Sequence, residues 1–555
     1  MNKDILSLLI SESENYLNID RIMSVIQTED DFAHIPVQPL YLAFQGLPQV
    51  KKLELLPKLS KEQRQLFLDI DLWKKDKLDM DGFNSWVALY ANSSEELQTE
   101  FVKGDEFPLY FKGRFNIWTF DVEDPLYPDH DNYFLTDDSL LLVEYDETFP
   151  YVQELKSLIK NLYTHEGVEK AYAFLFKIVS DQMSLMQEDE YRWKKNRLED
   201  KGFVDYFDAL EKVNSFPTEK HIINFIRLAK NLTGNLEEDS TYQVPHYNFI
   251  APLNKATENL VSELNKIENG KRFDFLKFNL VKLINANIEL NGGLSEGTIG
   301  LTKSSEKLKS FVNLGFQYTY KEWEDLDRQG NFFDFFTITD LYRVGKSLIE
   351  IKQEKINKAY AQNNIDETFD SFLGNWAENF VSQAFTTFEI EDISRNKFNL
   401  ETLEGLEKFN ELSDLIVGIL PFAKAFYDRF QDLKSQGTLN DHFYLNYNLD
   451  DVDFNALLLS NLSNFYLKNG KESSAKLGLT IDQYKQVAAL TTDPSFVELK
   501  GIIKSFSEEF SLNQVPGIQE YILEMAIDAF SGFNIDELKE EDFRHVGGPI
   551  IFNLN

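Results

Sequence analysis

Gly293, Leu294, Ser295, Glu296 and Gly297 spell G-x-S-x-G. In a nucleophile elbow that pattern holds a serine hydroxyl exposed on a strained turn, with a strand before it and a helix after it. Residues 285–291 alternate polar and apolar side chains, a weak strand pattern. The chain lacks the alternating strand and helix units that a hydrolase sheet requires, so the segment reads as a loop in preference to a nucleophile. Were it a nucleophile, His442 or His545 would be the downstream base. Residues 297–304 (GTIGLTKS) come close to a P-loop, but Thr302 stands where the second glycine must be and no apolar strand precedes it. Backbone N–H groups must close around phosphate there, so we read a chance likeness.

Carboxylates offer a second chemistry. The stretch 121–138 carries Asp121, Glu123, Asp124, Asp129, His130, Asp131, Asp137 and Asp138, and a second group is Asp450, Asp451 and Asp453. Oxygen ligands suit calcium or magnesium, but a calcium loop needs fixed spacing and a turn glycine, and neither is present. Solvated acidic loops are the favoured reading. The seven histidines, His34, His130, His165, His221, His246, His442 and His545, form no helical metal pair. The chain has no cysteine, which excludes disulfides, thiolate-bound metals and thiol catalysis. We expect no cofactor and no metal.

Arg192, Lys194, Lys195 and Arg197 surround Trp193. Such a cluster can grip an acidic partner or a phosphate through bidentate and stacking contacts. It can equally be the basic face of a helix paired with acidic helices inside the fold, and this second reading is favoured. The segment with Asp69, Asp71, Trp73 and Asp76 is its natural internal counterpart. The candidate binding residues are therefore Trp73, Asp76, Arg192, Trp193, Lys195 and Arg197, with Trp73 and Trp86 expected in the core.

Short helices must position these groups. Ser60 and Gln63 form a capping box, and Leu66, Ile70 and Trp73 follow on one helical face. After a charged turn, Asp79 caps a second helix with Phe83, Trp86, Val87 and Tyr90 on its apolar face, and Ser93 with Glu96 signals a third. Helices this short need mutual packing to persist in water. Residues 3–56 read as three more, with Pro36, Pro48 and Pro57 at their ends. Residues 114–121 and 139–145 are rich in β-formers and predict a small two-stranded insertion with an acidic loop between. Helical periodicity returns at Val168, Tyr172, Leu175, Val179, Met183 and Met186, and Gly202 marks a C-cap. Residues 233–252 read as a linker between an N-terminal unit, 1–232, and a C-terminal helical domain, 253–555. In the latter we expect a loop at 291–300, core aromatics at 332–336, and helices broken at Pro421, Gly437, Gly470, Pro494 and Pro516. The terminal VGGPIIFNLN reads as a docked strand or an exposed interaction segment. The fold class is mainly α, an irregular helical-repeat or bundle architecture with a small β insertion near 114–145.

Five stretches resemble one bacterial family, domain of unknown function 6178. They are the P-x-x-x-L-Y-L run at 36–42, LFLDIDLWKKDKLD at 66–79, YRWKKNRLEDKGF at 191–203, DLYRVGKSLIEIK at 340–352 and RHVGGPIIF at 544–552. The family has no assigned activity, so the resemblance implies none.

Composition narrows the function. The net charge is −36, from 56 basic and 92 acidic residues, and such a chain repels phosphate backbones and anionic membranes. A basic protein surface or a cation is the more natural partner. Aromatics make up 14% of the chain, with 47 phenylalanines, which points to a large helical core. The apolar run at 5–10 is too short for a signal peptide, and no run approaches a membrane span, so we expect a cytoplasmic protein. The expected function is a non-enzymatic scaffold or adaptor working through protein–protein contacts. The alternative is an enzyme, either a hydrolase at Ser295 or a metal-dependent activity built from carboxylates.

Overall fold

The structure, a computed structural model, describes residues 37–232, 258–291, 297–324, 326, 330–364, 373, 375–436, 452–468, 479–531, 536–537 and 539. The fold is mainly α, with twenty-two α-helices and only small sheets among the described residues. Six short helices come first: α1 (Val37–Gln45), α2 (Gln49–Leu55), α3 (Lys61–Asp71), α4 (Met80–Ala91), α5 (Glu95–Val102) and α6 (Glu106–Arg114). A hairpin of β1 (Trp73–Lys74) and β2 (Lys77–Leu78) joins α3 to α4. The insertion holds β3 (Asn116–Thr119), β4 (Tyr133–Leu135) and β5 (Leu141–Glu144). Then come α7 (Val152–Glu166), α8 (Val168–Ser180), α9 (Met183–Glu199), α10 (Tyr206–Lys212), α11 (Glu219–Leu228), α12 (Glu258–Asn265), α13 (Gly270–Leu290), α14 (Gly297–Glu324), α15 (Phe332–Phe335), α16 (Ile338–Gln362) and α17 (Asn375–Thr386). A second hairpin, β6 (Glu389–Glu391) with β7 (Lys397–Asn399), precedes α18 (Leu403–Ser435), α19 (Phe454–Tyr466), α20 (Ile481–Ala488), α21 (Val497–Glu509) and α22 (Ile518–Ser531).

Two compact units share the described residues. One draws on Met1–Asn214, Ala229–Lys309 and Gln329–Asp340, the other on Ser215–Leu228, Ser310–Arg328 and Leu341–Asn555. The units interleave along the chain. Helices α10 and α13, on either side of 233–252, pack together in the first unit, while 233–252 itself lies outside the described residues.

In the first unit the local signals hold. Ser60 and Gln63 make the reciprocal capping box of α3. Asp79 accepts from the Asp81 and Gly82 amides at the start of α4. Phe83, Trp86, Val87 and Tyr90 are all buried. Their rings build a stacked aromatic core, with Phe83 to Tyr110 and Tyr90 to Phe101 each 4.2 Å between centroids. Three short helices meet at one carboxylate: Asp71 accepts from the Tyr41 hydroxyl and, at 2.6 Å, from Trp86 Nε1.

Several expectations shift. Ser94, not Ser93, stands at the start of α5, because the Ser93 hydroxyl is spent on the Tyr90 carbonyl that ends α4. The single helix expected from 168 to 186 is two, parted at Asp181, with Ala171, Leu175 and Ile178 as the buried face of the first. Gly202, at φ 82°, follows α9 as expected. The insertion is a three-stranded sheet of order β3-β5-β4, antiparallel throughout. Tyr133, Phe134 and Leu135 pair with β5 from within the stretch expected to be a loop.

In the second unit the apolar run around Pro421 lies inside α18, a 33-residue helix that continues through the proline. Leu415, Ile416, Ile419, Leu420 and Ala423 are buried around it, so packing outweighs the lost backbone hydrogen bond. Phe380 stacks on Phe409 at 4.8 Å, and Phe311 meets Phe388 edge-on at 4.8 Å. The C-terminal part of α14 crosses α16 at two glycines. A Cβ on Gly315 would fall 1.8 Å from the Leu341 carbonyl oxygen, and one on Gly345 would fall 2.0 Å from that of Phe311. Main chain touches main chain there. No helix among the described residues is long and apolar enough to cross a membrane.

Candidate functional site

The predicted basic cluster lies on α9, and its members divide between solvent and the interior of the first unit. Arg192 pairs only with its neighbour Asp189, at 2.7 Å with both side chains well exposed. Trp193 is 60% exposed. Lys195 pairs with Asp208 at 2.8 Å, across to α10. Arg197 turns inward. Its Nε and Nη2 donate to the two oxygens of Asp69 at 2.8 and 2.7 Å, and its Nη1 reaches Asp105 at 2.7 Å. Trp73 is buried, as expected, with Tyr191 6.1 Å away and the buried Lys194 ammonium 5.8 Å from its ring. Asp76 is exposed, and its backbone carbonyl accepts from Gln187 at 2.8 Å. Thus Arg197 meets the acidic segment of α3, while Arg192 and Trp193 stay outside that contact.

Sequence reading missed the centre of this network. Glu106 is buried beside Asp69, and Gln65 Nε2 donates to its two oxygens at 2.8 and 2.9 Å. Burial, then the charge and hydrogen bond of Asp69, hold the Glu106 carboxyl well above the usual range. Burial also works against the Arg197 charge, but its hydrogen bond to Asp69 and the fields of Asp69, Glu106 and Asp105 outweigh that and raise its pKa. Glu190, half-buried on the same helix, is pushed up to about 7, by burial first and then by Asp105. Lys194 is pushed down by burial, with Glu289 opposing. An aliphatic or aromatic periodicity carries no trace of these pairings, because they join helices far apart in sequence.

The insertion is the other acid-rich region, and its carboxylates are in water. Asp121, Glu123, Asp124, Asp129, Asp131 and Asp137 are all exposed. His130 reaches Glu144 at 2.6 Å, and Asp138 accepts from Thr136 and Tyr163, at 2.6 and 3.0 Å. Among them stand exposed apolar side chains: Trp118, Val122, Leu126, Tyr127 and Leu140, with Leu126 78% exposed. Tyr127 lies against Phe120, 5.1 Å between centroids. The sequence carries a signal for this surface that composition alone hides. Between Phe115 and Leu155 there are eleven Asp and Glu and neither lysine nor arginine.

The remaining candidates fare differently. Ser295 lies outside the described residues, as do His442, His545, Asp450, Asp451 and the terminal segment. The near P-loop is not a loop: residues 297–304 are the first turns of α14. Asp453 caps α19 by accepting from the Ala456 amide at 2.8 Å. Among the described residues no three Asp, Glu or His side chains converge to hold a metal ion. In the second unit a cleft of about 300 Å³ is lined by Trp376, Gln383, Asn455 and Glu524 among others. Its described lining has no serine, histidine or lysine and carries four carboxylates, Glu391, Asp392, Glu524 and Asp528.

No curated protein and no solved structure matches the chain. The sequence model of a family of unknown function, domain of unknown function 6178, matches residues 10–513, and the chain belongs to that family.

Proposed function

We propose that this protein is a non-enzymatic scaffold or adaptor of the bacterial cytoplasm, acting through protein–protein contacts. One observation carries the reading: Trp118, Val122, Leu126, Tyr127 and Leu140 stand exposed on one small sheet and its loop. Apolar side chains gathered on a surface mark a place where another molecule docks. Within the basic cluster Lys195 and Arg197 are engaged inside the first unit, while Arg192 and Trp193 stay exposed. The test is affinity purification of the tagged full chain from its native cell, with cross-linking mass spectrometry. A stoichiometric protein partner is expected, and Ser295→Ala should leave the cellular phenotype unchanged. Failure to retain any partner, together with loss of phenotype in that variant, would overturn the scaffold in favour of a hydrolase at Ser295.

A further inference from the structure

We propose that the outer edge of β3 takes up an extended, lysine- or arginine-rich segment of a partner protein as a fourth strand of the insertion sheet. This rests on the scaffold reading and names where and how the partner binds.

Three observations meet at this edge. First, among the described residues β5 is the central strand and β3 pairs on one side only, so its other side presents main-chain groups with no strand partner there. Three of its four residues are exposed. Proteins ordinarily blunt such an edge with lysine, proline or a bulge. Asn116, Ile117, Trp118 and Thr119 supply none of these, and the pairing with β5 runs in unbroken register from Asn116↔Glu144 to Thr119↔Leu141. Second, apolar anchors flank the edge: Trp118 within the strand, and Val122 and Leu126 just after it. Strand addition draws affinity from main-chain hydrogen bonds and specificity from pockets for alternate side chains. Third, the surroundings have one sign of charge. Asp121, Glu123, Asp124, Asp129 and Asp131 are exposed, and no lysine or arginine among the described residues pairs with them. The nearest basic residue before β3, Arg114, is directed to Asp81 at 3.3 Å. An apolar face rimmed by unopposed carboxylates complements a segment that alternates apolar and cationic side chains. An acidic segment would meet the same hydrogen-bonding edge against a repulsive field, and a neutral one would lose the attraction.

The probe is a fluorescein-labelled peptide of about nine residues, long enough to span the strand, alternating lysine with valine. Binding to the full chain is followed by fluorescence anisotropy, and amide exchange over 116–119 is followed by mass spectrometry. Saturable binding is expected, with slowed exchange at 116–119. A copy of the peptide N-methylated at alternate residues, which cannot form the ladder, should bind about tenfold or more weakly. The variant D121N/E123Q/D124N/D129N/D131N changes exposed side chains only and should weaken binding about tenfold. Equal affinity for the N-methylated peptide, no effect of the neutralised carboxylates, protection elsewhere, or no binding would each overturn the proposal. If the peptide fails while a stoichiometric cellular partner is still recovered, strand addition falls and the scaffold reading stands. If no partner is recovered and Ser295→Ala loses the phenotype, the scaffold reading falls, whatever the peptide does.

Discussion

The α9 network and the β insertion both belong to the first unit, and both concentrate carboxylates, yet they treat them in opposite ways. Around Arg197, Asp69 and Glu106 are out of water and have partners for almost every polar atom. In the insertion, Asp121, Glu123, Asp124, Asp129 and Asp131 face water, and no lysine or arginine among the described residues pairs with them. A buried carboxylate must be paired or protonated, and here the Arg197 guanidinium pairs with Asp69 while burial and Asp69 push Glu106 toward its protonated form. An exposed one loses no solvation and is left available to something outside the chain. Burial, rather than the number of acids, decides which region holds the fold together and which is free to meet a partner.

The contrast can be broken from the inside. Arg197→Met removes the only guanidinium from a buried carboxyl pair, and should cost about 3–5 kcal/mol of stability in denaturant unfolding. With the cation gone, nothing from Arg197 opposes the burial and the Asp69 charge that raise the Glu106 carboxyl, so the loss should deepen as pH rises from 5 to 8. A loss below about 1 kcal/mol would mean that the pair is solvated after all.

Glu190 gives the next largest effect, of opposite sign. Its pKa in the fold is about 7, raised above the ordinary value of 4.5 by burial first and then by Asp105. A group raised in the folded state contributes stability at low pH that is lost as pH climbs from about 4.5 through 7. Its half-exposed carboxyl calls for a discount for solvent screening, so Glu190→Gln should raise stability at pH 8 by about 1 kcal/mol and leave it unchanged at pH 4. Thermal melts of the two proteins across that range check the sign.

Glu106→Gln should be milder still, within about 1 kcal/mol, because burial and Asp69 favour the uncharged carboxyl and the amide keeps its shape. Its signature is the loss of proton uptake on folding above pH 5, read by calorimetry in buffers of different ionisation enthalpy. Smallest of all, neutralising Asp121, Glu123, Asp124, Asp129 and Asp131 together should move stability by no more than about 0.5 kcal/mol. A large change there would place the insertion's carboxylates among the groups that hold the fold.

What could be read from the sequence follows the range of the interactions. Ser60 with Gln63, and Asp79 with the amides of Asp81 and Gly82, act over three residues, so their types alone announce them. The apolar face of α4 is likewise local, and each of its four predicted residues is buried. Strand β4 was hidden because Tyr133, Phe134 and Leu135 sit among aspartates and gain their pairing only from β5. Pro421 reads as a helix breaker, but the neighbours that keep α18 continuous are distant in sequence. Arg192, Lys194, Lys195 and Arg197 were legible as a basic cluster and Asp69, Asp71, Trp73 and Asp76 as its acidic counterpart, whereas Glu106 and Glu190 were not, since neither stands out in a chain with 92 acidic residues. Trp193 is the residue whose surroundings its type does least to foretell: indoles favour burial, and this one is mostly in solvent.

Where α14 and α16 cross, at Gly315 and Gly345, the second unit has no side chain to adjust. Where side chains line a contact, a lost or gained methyl can be absorbed by a rotamer change in a neighbour. At this crossing the spacing of two helices is fixed by the thickness of the polypeptide backbone itself, so even a single added carbon must be met by parting the helices. The tolerance of that unit to drift in its sequence is therefore small at two of its least conspicuous residues.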